Sequence, residues 1–331
     1  MTGAGVGAGS AAEADGDGGP AGGGGEARGG DGAGRRGDSE TRGDGARARG
    51  DAVAAPARGT RGIIGASDLF DHVDFRLREP APALRPYLEQ YWLIDWDLSE
   101  PYTSQVVPHP NVHLVLERPG TGDDPEPAGS AEVHGIVRGV FTRRLEGRGR
   151  VCGVKFRAGA FRPFAPHHPV SRWTGLHVPA DEVLSVPPDS PAVSSVARTV
   201  LDEADEDARV AALDAYLLRV LPPPDPQAVL ATELAELART DRSLLRADAL
   251  ARAGGMSVRS LQRLFSAYVG VGPKWVILRH RIHEALRHAD ADQETDWATL
   301  AADLGYSDQA HLVRDFTTTV GAPPTAFAQR R

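Results

Sequence analysis

The stretch that decides the fold lies near the C-terminus and occurs twice. The first copy reads DALARAGGMSVRSLQRLF, residues 248–265, and the second reads WATLAADLGYSDQAHLVRDF, residues 297–316. Each copy has a short segment rich in alanine and leucine, a glycine, an apolar residue, a serine and then a second segment with helical spacing. This order is typical of a helix-turn-helix unit. Two such units in one chain predict a protein that reads double-stranded DNA.

Glycines and serines define the turn of each predicted unit. Gly255 and Gly305 stand where the first helix must stop, a position that favours a positive φ and therefore glycine. Ser257 and Ser307 follow two residues later, and a serine hydroxyl accepts a hydrogen bond from a free N–H in the first turn of a helix. We therefore predict that these two serines are the N-caps of the two recognition helices.

The polar face of each second helix carries side chains suited to base readout. Leu261, Leu264 and Phe265 share one face of the first recognition helix, so the arginines and glutamine between them point outward. Arginine pairs with guanine and glutamine with adenine through two hydrogen bonds. The predicted DNA-binding residues are Ser257, Arg259, Gln262, Arg263, Lys274, Ser307, Gln309, His311 and Arg314. The alternative is a plain helical bundle in an arginine-rich chain, which two tandem units with matching turns disfavour.

The C-terminal third resembles the AraC/XylS family of bacterial transcription regulators. The resemblance is carried by residues 257–265, 268–274, 305–307, 314–316 and 321–324. It implies a seven-helix domain in which one long helix, here about 273–289, joins two units that enter successive major grooves. Asp308 and Asp315 make the second recognition helix less basic than the first.

Composition limits the protein class. A chain of 331 residues has room for two domains and tails, and a single cysteine excludes an internal disulfide framework. A net charge of −8 restricts DNA affinity to local patches. The chain has no apolar run near the ~18 residues of a membrane span and no secretory core, so we expect a cytoplasmic protein without membrane contact.

Residues 1–62 form a low-complexity segment. They hold about half of the 38 glycines and few apolar side chains. Such a segment cannot bury enough surface to offset the entropy lost on ordering, so a disordered tail is predicted.

Residues 63–180 are predicted to be rich in β-strands. Apolar and polar residues alternate over 112–117 and 151–157, and shorter strands are expected at 73–77, 91–96 and 132–140. Residues 84–92, 107–111 and 153–161 look like the N-terminal sensory domain of a subset of actinobacterial AraC-type proteins. That resemblance implies a small barrel, cupin-like in form, with an unknown small-molecule effector.

Metal and catalytic sites are not predicted. His109, His113 and Glu117 are spaced by four, and His134 could join them, but the His-x-His start of a cupin metal motif is missing. We interpret these as turn and surface histidines and predict no metal, cofactor or catalytic residue. A denser basic set could receive an anionic effector, although a solvated strand face is favoured. Its members are Arg138, Arg143, Arg144, Arg148, Arg150, Lys155, Arg157 and Arg162.

The sequence as a whole predicts an α+β multidomain chain. A connector over 181–226 would contain helices at 192–204 and 208–221, forming either a dimer interface or packing for the β-rich domain, and would end in a proline-rich hinge. Residues 227–331 would be the all-α DNA-binding domain of a one-component transcription regulator. RNA polymerase and a second copy of the chain are candidate partners. The alternative is a DNA alkyl-transfer or repair protein using Cys152, although the strand alternation there points the thiol into a core.

Overall fold

The computed structural model describes residues 62–119, 129–291 and 295–328, so the predicted tail lies almost wholly outside the described residues. The described residues belong to one compact unit. The strands are β1 (Ile63–Ile64), β2 (Val73–Arg78), β3 (Leu88–Asp97), β4 (Tyr102–Val106), β5 (His113–Arg118), β6 (Ser130–His134), β7 (Phe141–Leu145), β8 (Arg148–Phe156) and β9 (His177–Pro179). The helices are α1 (Ala66–His72), α2 (Ala180–Val183), α3 (Val193–Asp202), α4 (Glu206–Arg219), α5 (Pro226–Thr240), α6 (Ala247–Ala253), α7 (Val258–Tyr268), α8 (Pro273–Ala291), α9 (Trp297–Asp303), α10 (Gln309–Val320) and α11 (Pro324–Ala328).

The strands form two antiparallel sheets. The larger has the order β2-β3-β8-β5-β6-β9, and the smaller has the order β1-β4-β7. The β-rich fold is confirmed, but within the described residues the two sheets do not close into the expected barrel. The strand predicted over 132–140 ends at His134. The N–H of the next residue, Gly135, donates to the Leu176 carbonyl oxygen at 3.0 Å. A Cβ at Gly135 would lie only 1.8 Å from the Trp173 carbonyl oxygen.

The connector helices pack on the larger sheet. Leu114, Leu116 and Val154 are buried on the face that α3 covers, which explains the period-two pattern of β5 and β8. On α4, the buried Arg209 guanidinium donates to Asp95 of β3 at 3.1 Å. The apolar stripe of α4, formed by Val210, Leu213 and Leu217, is buried within its own chain.

Seven helices, α5 to α11, make up the C-terminal part of the described chain. Helices α6 and α7 form the first helix-turn-helix unit, α9 and α10 form the second, and α8 joins them as predicted. The predicted linker helix ended at residue 289, whereas α8 continues to Ala291. No helix in the described ranges is long and apolar enough to span a bilayer.

The first unit is packed against the sheet domain. The Thr174 hydroxyl donates to the carbonyl oxygen of Gly270 at 2.7 Å, and the Arg162 guanidinium lies 4.6 Å from the centre of the Tyr268 ring. One apolar core runs from β3 through the connector to α7 and the start of α8. The second unit has a separate core, built around Leu312 and Phe316.

Candidate functional site

The first helix-turn-helix unit has the predicted turn. Gly255 has φ of 63°, and the Ser257 hydroxyl accepts a hydrogen bond from the Ser260 N–H at 3.1 Å. Leu261 and Phe265, on the inner face of α7, are fully buried. The predicted N-cap and apolar face of α7 are therefore confirmed.

The opposite face of α7 is open to solvent. Arg259, Gln262 and Arg263 are exposed there, and Lys274 is exposed at the start of α8. A helix presented in this way can enter a major groove with its polar side chains directed at base edges. The sequence pattern thus placed these four residues correctly on the surface.

The second unit departs from the prediction at its cap. Gly305 has the expected positive φ of 71°, but Asp308, not Ser307, is the N-cap of α10. The Asp308 carboxylate accepts from the His311 N–H at 2.8 Å, and the Ser307 hydroxyl donates to the same carboxylate at 3.2 Å. A carboxylate at a helix N-terminus also complements the helix dipole, which explains why the aspartate displaces the serine.

The polar side chains on the outer face of α10 differ in their exposure to solvent. Gln309 and Arg314 are exposed, whereas His311 is half-buried with its ring edge-on to Tyr306 at 5.1 Å. The Nε2 atom of His311 is 3.7 Å from a carboxylate oxygen of Asp315. Local partners therefore already hold His311 and Asp315, which leaves Gln309 and Arg314 as the freer polar groups.

The exposed readout side chains are not engaged elsewhere. Within the part of the chain that the structure describes, none of these side chains takes part in a hydrogen bond or an ion pair: Arg259, Gln262, Arg263, Lys274, Gln309 and Arg314. An external polar partner could bind them without first breaking an internal contact.

The position of Asp308 as the N-cap of α10 leads to a testable prediction. Replacing Asp308 with alanine should lower the urea midpoint of unfolding, and Ser307→Ala should leave it close to wild type. The His311 backbone N–H lowers the pKa of Asp308, so its contribution is present above the ordinary pKa of an aspartate and is lost as the pH falls through the depressed value. An asparagine also caps helices but does not titrate in this range. Asp308→Asn should therefore keep the midpoint near pH 7 and lose this pH dependence.

Urea titrations from pH 7 to pH 3 measure these midpoints. For comparison, Ser257→Ala should cost about 0.5–2 kcal/mol, the usual value of an N-cap. Equal midpoints for Ser307→Ala and Asp308→Ala would contradict the cap observed here.

A cavity of about 320 Å³ lies between the two sheets. Its apolar lining includes Phe75, Trp92, Ile94, Val115 and Phe141. The polar lining includes one row of cross-strand neighbours on the larger sheet, namely Gln90, Lys155, His113, His134 and His177. A concave, largely apolar space with a few converging polar groups is the usual form of a small-molecule site.

The polar row presents hydrogen-bond donors to the cavity. The Trp92 indole N–H donates to Nδ1 of His113 at 3.1 Å, so the neutral His113 ring carries its proton on Nε2. Burial, with a smaller contribution from Lys155, lowers the pKa of His113 to about 3. Lys155 is itself almost fully buried, and its ammonium donates to Glu89 at 3.0 Å. The interpretation of His113 and His134 as turn or surface residues was therefore wrong, because both line this cavity.

The basic residues that were predicted to form a solvated strand face lie in different environments. Arg143 and Lys155 line the cavity, whereas Arg144 and Arg148 are largely exposed and lie beside acidic neighbours. Arg150 donates to Asp95 and to backbone carbonyls near the end of α3. Only part of the set is a solvated face.

One wall of the cavity touches the linker helix. Val107 to His109 line the cavity, and the His109 ring stacks on that of His283 in α8 at 3.7 Å and 11°. Nε2 of His283 is 3.3 Å from the Pro108 carbonyl oxygen, and the Arg279 guanidinium donates to the same oxygen at 3.4 Å. The side chain of Arg279 is buried, which lowers its pKa to about 10 and leaves it charged at neutral pH. This contact between distant segments had no local sequence signal.

The cysteine alternative is not supported by the geometry. Cys152 is fully buried in β8, and burial raises the pKa of its thiol to about 11. A nucleophilic cysteine needs an accessible thiolate near neutral pH. This burial argues against alkyl transfer.

Comparisons with known proteins agree with the two-part organisation. Residues 250–330 match the model of a helix-turn-helix domain, and residues 77–179 match that of a domain of unknown function, DUF6597. A comparison with curated proteins found no match.

Several solved structures are similar to the chain. One is a transcriptional regulator with an AraC-type DNA-binding domain from Chromobacterium violaceum, with 22% identity and a TM-score of 0.29 over 30% of this chain and 90% of that one. Another is ToxT from Vibrio cholerae, with 10% identity and a TM-score of 0.38 over 72% of this chain and 97% of ToxT. A further ToxT structure, described as bound to an unsaturated fatty acid, has 11% identity and a TM-score of 0.33 over 78% of this chain and 91% of that one.

Two helix-turn-helix units joined by one long helix define a DNA-binding transcription regulator. Its C-terminal domain is a helix-turn-helix domain, and a DUF6597 domain precedes it. Regulators of this kind are generally not enzymes.

Proposed function

We propose that the chain is a sequence-specific, one-component regulator whose small-molecule effector binds in the cavity between the sheets. The main support for this proposal is that segment 107–109 lines the cavity and also contacts α8 through His283 and Arg279. A ligand that moves this wall would act on the helix that holds both helix-turn-helix units together. Binding at one site would then change affinity at the other.

The proposal assigns roles to the DNA-facing residues. Arg259, Gln262, Arg263, Gln309 and Arg314 would contact base edges, since arginine and glutamine read guanine and adenine. The backbone contacts that fix register would come from Lys274, Ser257, Ser307 and His311.

We assign residues 1–62 to a tail, 63–180 to the sensory domain, 181–226 to the connector and 227–331 to the DNA-binding domain. Double-stranded DNA is the partner of the last domain, with RNA polymerase and a second copy of the chain as further partners. The proposed location is the cytoplasm.

Selection from random double-stranded DNA with the purified full chain tests sequence specificity. The expected product is a bipartite motif of two unlike half-sites, one for each recognition helix. Recovery of unrelated sequences after several rounds would contradict sequence-specific readout. A single half-site would restrict readout to one unit.

Filling the cavity tests the coupling. Val115 lies in the cavity wall, so Val115→Trp should occupy the space that an effector would take. Allosteric couplings are commonly 1–3 kcal/mol, so the Kd for the selected DNA should change by about 5–150-fold. Fluorescence anisotropy with labelled duplex measures this Kd.

The matched control is Leu218→Trp, which adds an indole at an exposed position of α4. It should leave the Kd unchanged. If Val115→Trp retains the wild-type circular dichroism and also the wild-type Kd, the cavity is not coupled to DNA binding.

A further inference from the structure

The edge of the larger sheet gathers two histidines and a glutamate at one end of the cavity. His134 of β6 lies directly opposite His177 of β9 in the strand register, and Glu132 lies two residues before His134 on the same face of β6. One ligand atom from each side chain lies within 4.8 Å of the other two. His177 is 43 residues from His134 in the sequence, and the pairing of β6 with β9 brings it to the other two residues.

We propose that Glu132, His134 and His177 bind a divalent transition-metal ion of the zinc type. Imidazole nitrogens and carboxylate oxygens are the ligands that zinc takes in sites with two histidines and one carboxylate. A tetrahedral ion with bonds of about 2.0–2.2 Å needs ligand atoms roughly 3.3 Å apart. The Nε2 atom of His134 and the Oε2 atom of Glu132 are already separated by 3.2 Å.

The third ligand needs only a local movement. The rings of His134 and His177 stack with their centres 3.8 Å apart and an angle of 6° between them. His177 is exposed, so its ring can turn to direct a nitrogen at the position between the other two ligands. The nearby cation Arg143 donates to Glu117, which offsets its repulsion of a metal ion.

Three protein ligands leave a fourth position for water or for a donor atom of a bound molecule. Because all three side chains line the cavity, this position would be accessible from it. The ion would then form part of the surface that the cavity presents. This inference does not depend on the proposed regulation, because the ion would bind to the protein without DNA or effector.

Zinc titration of the tag-free full chain, stripped of metal with a chelator and followed by calorimetry, tests the site. We expect one Zn²⁺ per chain in the tight phase. His177→Ala should weaken this phase by more than about 100-fold, because loss of a direct ligand should exceed the usual 10–100-fold effect of an outer partner. Glu132→Gln removes the carboxylate charge and should also weaken it.

His167→Ala is the matched control, since it removes an exposed histidine outside the cluster and should leave the tight phase intact. The thermal midpoint of each variant establishes that it is folded, and His177, being exposed, can be replaced at little cost to the core. Co²⁺ gives a second readout, because a four-coordinate site produces intense visible absorption that His177→Ala should remove. Absence of a tight phase in wild type, or its persistence in folded His177→Ala, would overturn the proposal.

Discussion

Insertion of five base pairs between the two half-sites of the selected DNA is expected to abolish tight binding. Five base pairs rotate one half-site by about half a helical turn, to the far side of the duplex. The 19 residues of α8 give a linker about 28 Å long at 1.5 Å per residue, which together with helix packing suits adjacent major grooves about 34 Å apart. Affinity should fall toward the non-specific value, by about 10³-fold or more.

The structure adds a reason why the linker cannot adapt. The buried Arg279 side chain and the stacked His283 hold α8 against segment 107–109 of the sheet domain. The Gly270 carbonyl just before α8 is also bonded, to the Thr174 hydroxyl. A helix held at several points cannot follow a half-turn displacement of one site.

Electrophoretic mobility shift titrations with the original and inserted duplexes measure the effect. The control is the same five base pairs placed outside the half-sites, which should leave the Kd unchanged. Tight binding that survives the internal insertion would show that one unit alone reads DNA. Arg259, Gln262 and Arg263 would then carry the specificity, because acidic groups flank the second reader at Asp308 and Asp315.

The helical part of the molecule was predictable because its signals are local. Helix spacing, the glycine turns at 255 and 305 and the serine cap at 257 all lie within a few residues of the structures they determine. The cap of α10 was assigned one residue too early. Ser307 and Asp308 are both good caps, and the pattern alone did not distinguish them.

The sheet domain was predictable only in part. Strands β5 and β8 alternate clearly because one face packs under α3, whereas β4 and β7 belong to the smaller sheet and carry mostly polar, partly exposed residues. The cavity and its histidine cluster depend on which strands pair and in which register, a long-range property that spacing along the chain cannot provide. His134 and His177 meet across strands that are 43 residues apart.

Replacement of Arg263 with alanine should relax the base preference at one position of the first half-site. Arg263 is exposed on α7, without an internal partner in the described chain, and a bidentate arginine–guanine contact is worth about 1–3 kcal/mol of discrimination. The expected loss for the selected sequence is therefore about 5–150-fold, with much less change on random DNA. Arg198→Ala, which removes an equal charge from an exposed position on α3, should leave both values near wild type.

Lys274→Ala should behave differently, because a lysine at the start of α8 is placed to neutralise a phosphate rather than to read a base. Its loss should weaken binding to selected and random duplexes by similar factors and reduce the slope of log K against log salt by about one. Titrations of both variants on both duplexes at several salt concentrations separate the two roles. If Arg263→Ala weakens both duplexes equally and lowers the salt slope as Lys274→Ala does, Arg263 contacts the backbone, and the base readout of the first unit falls to Arg259 and Gln262.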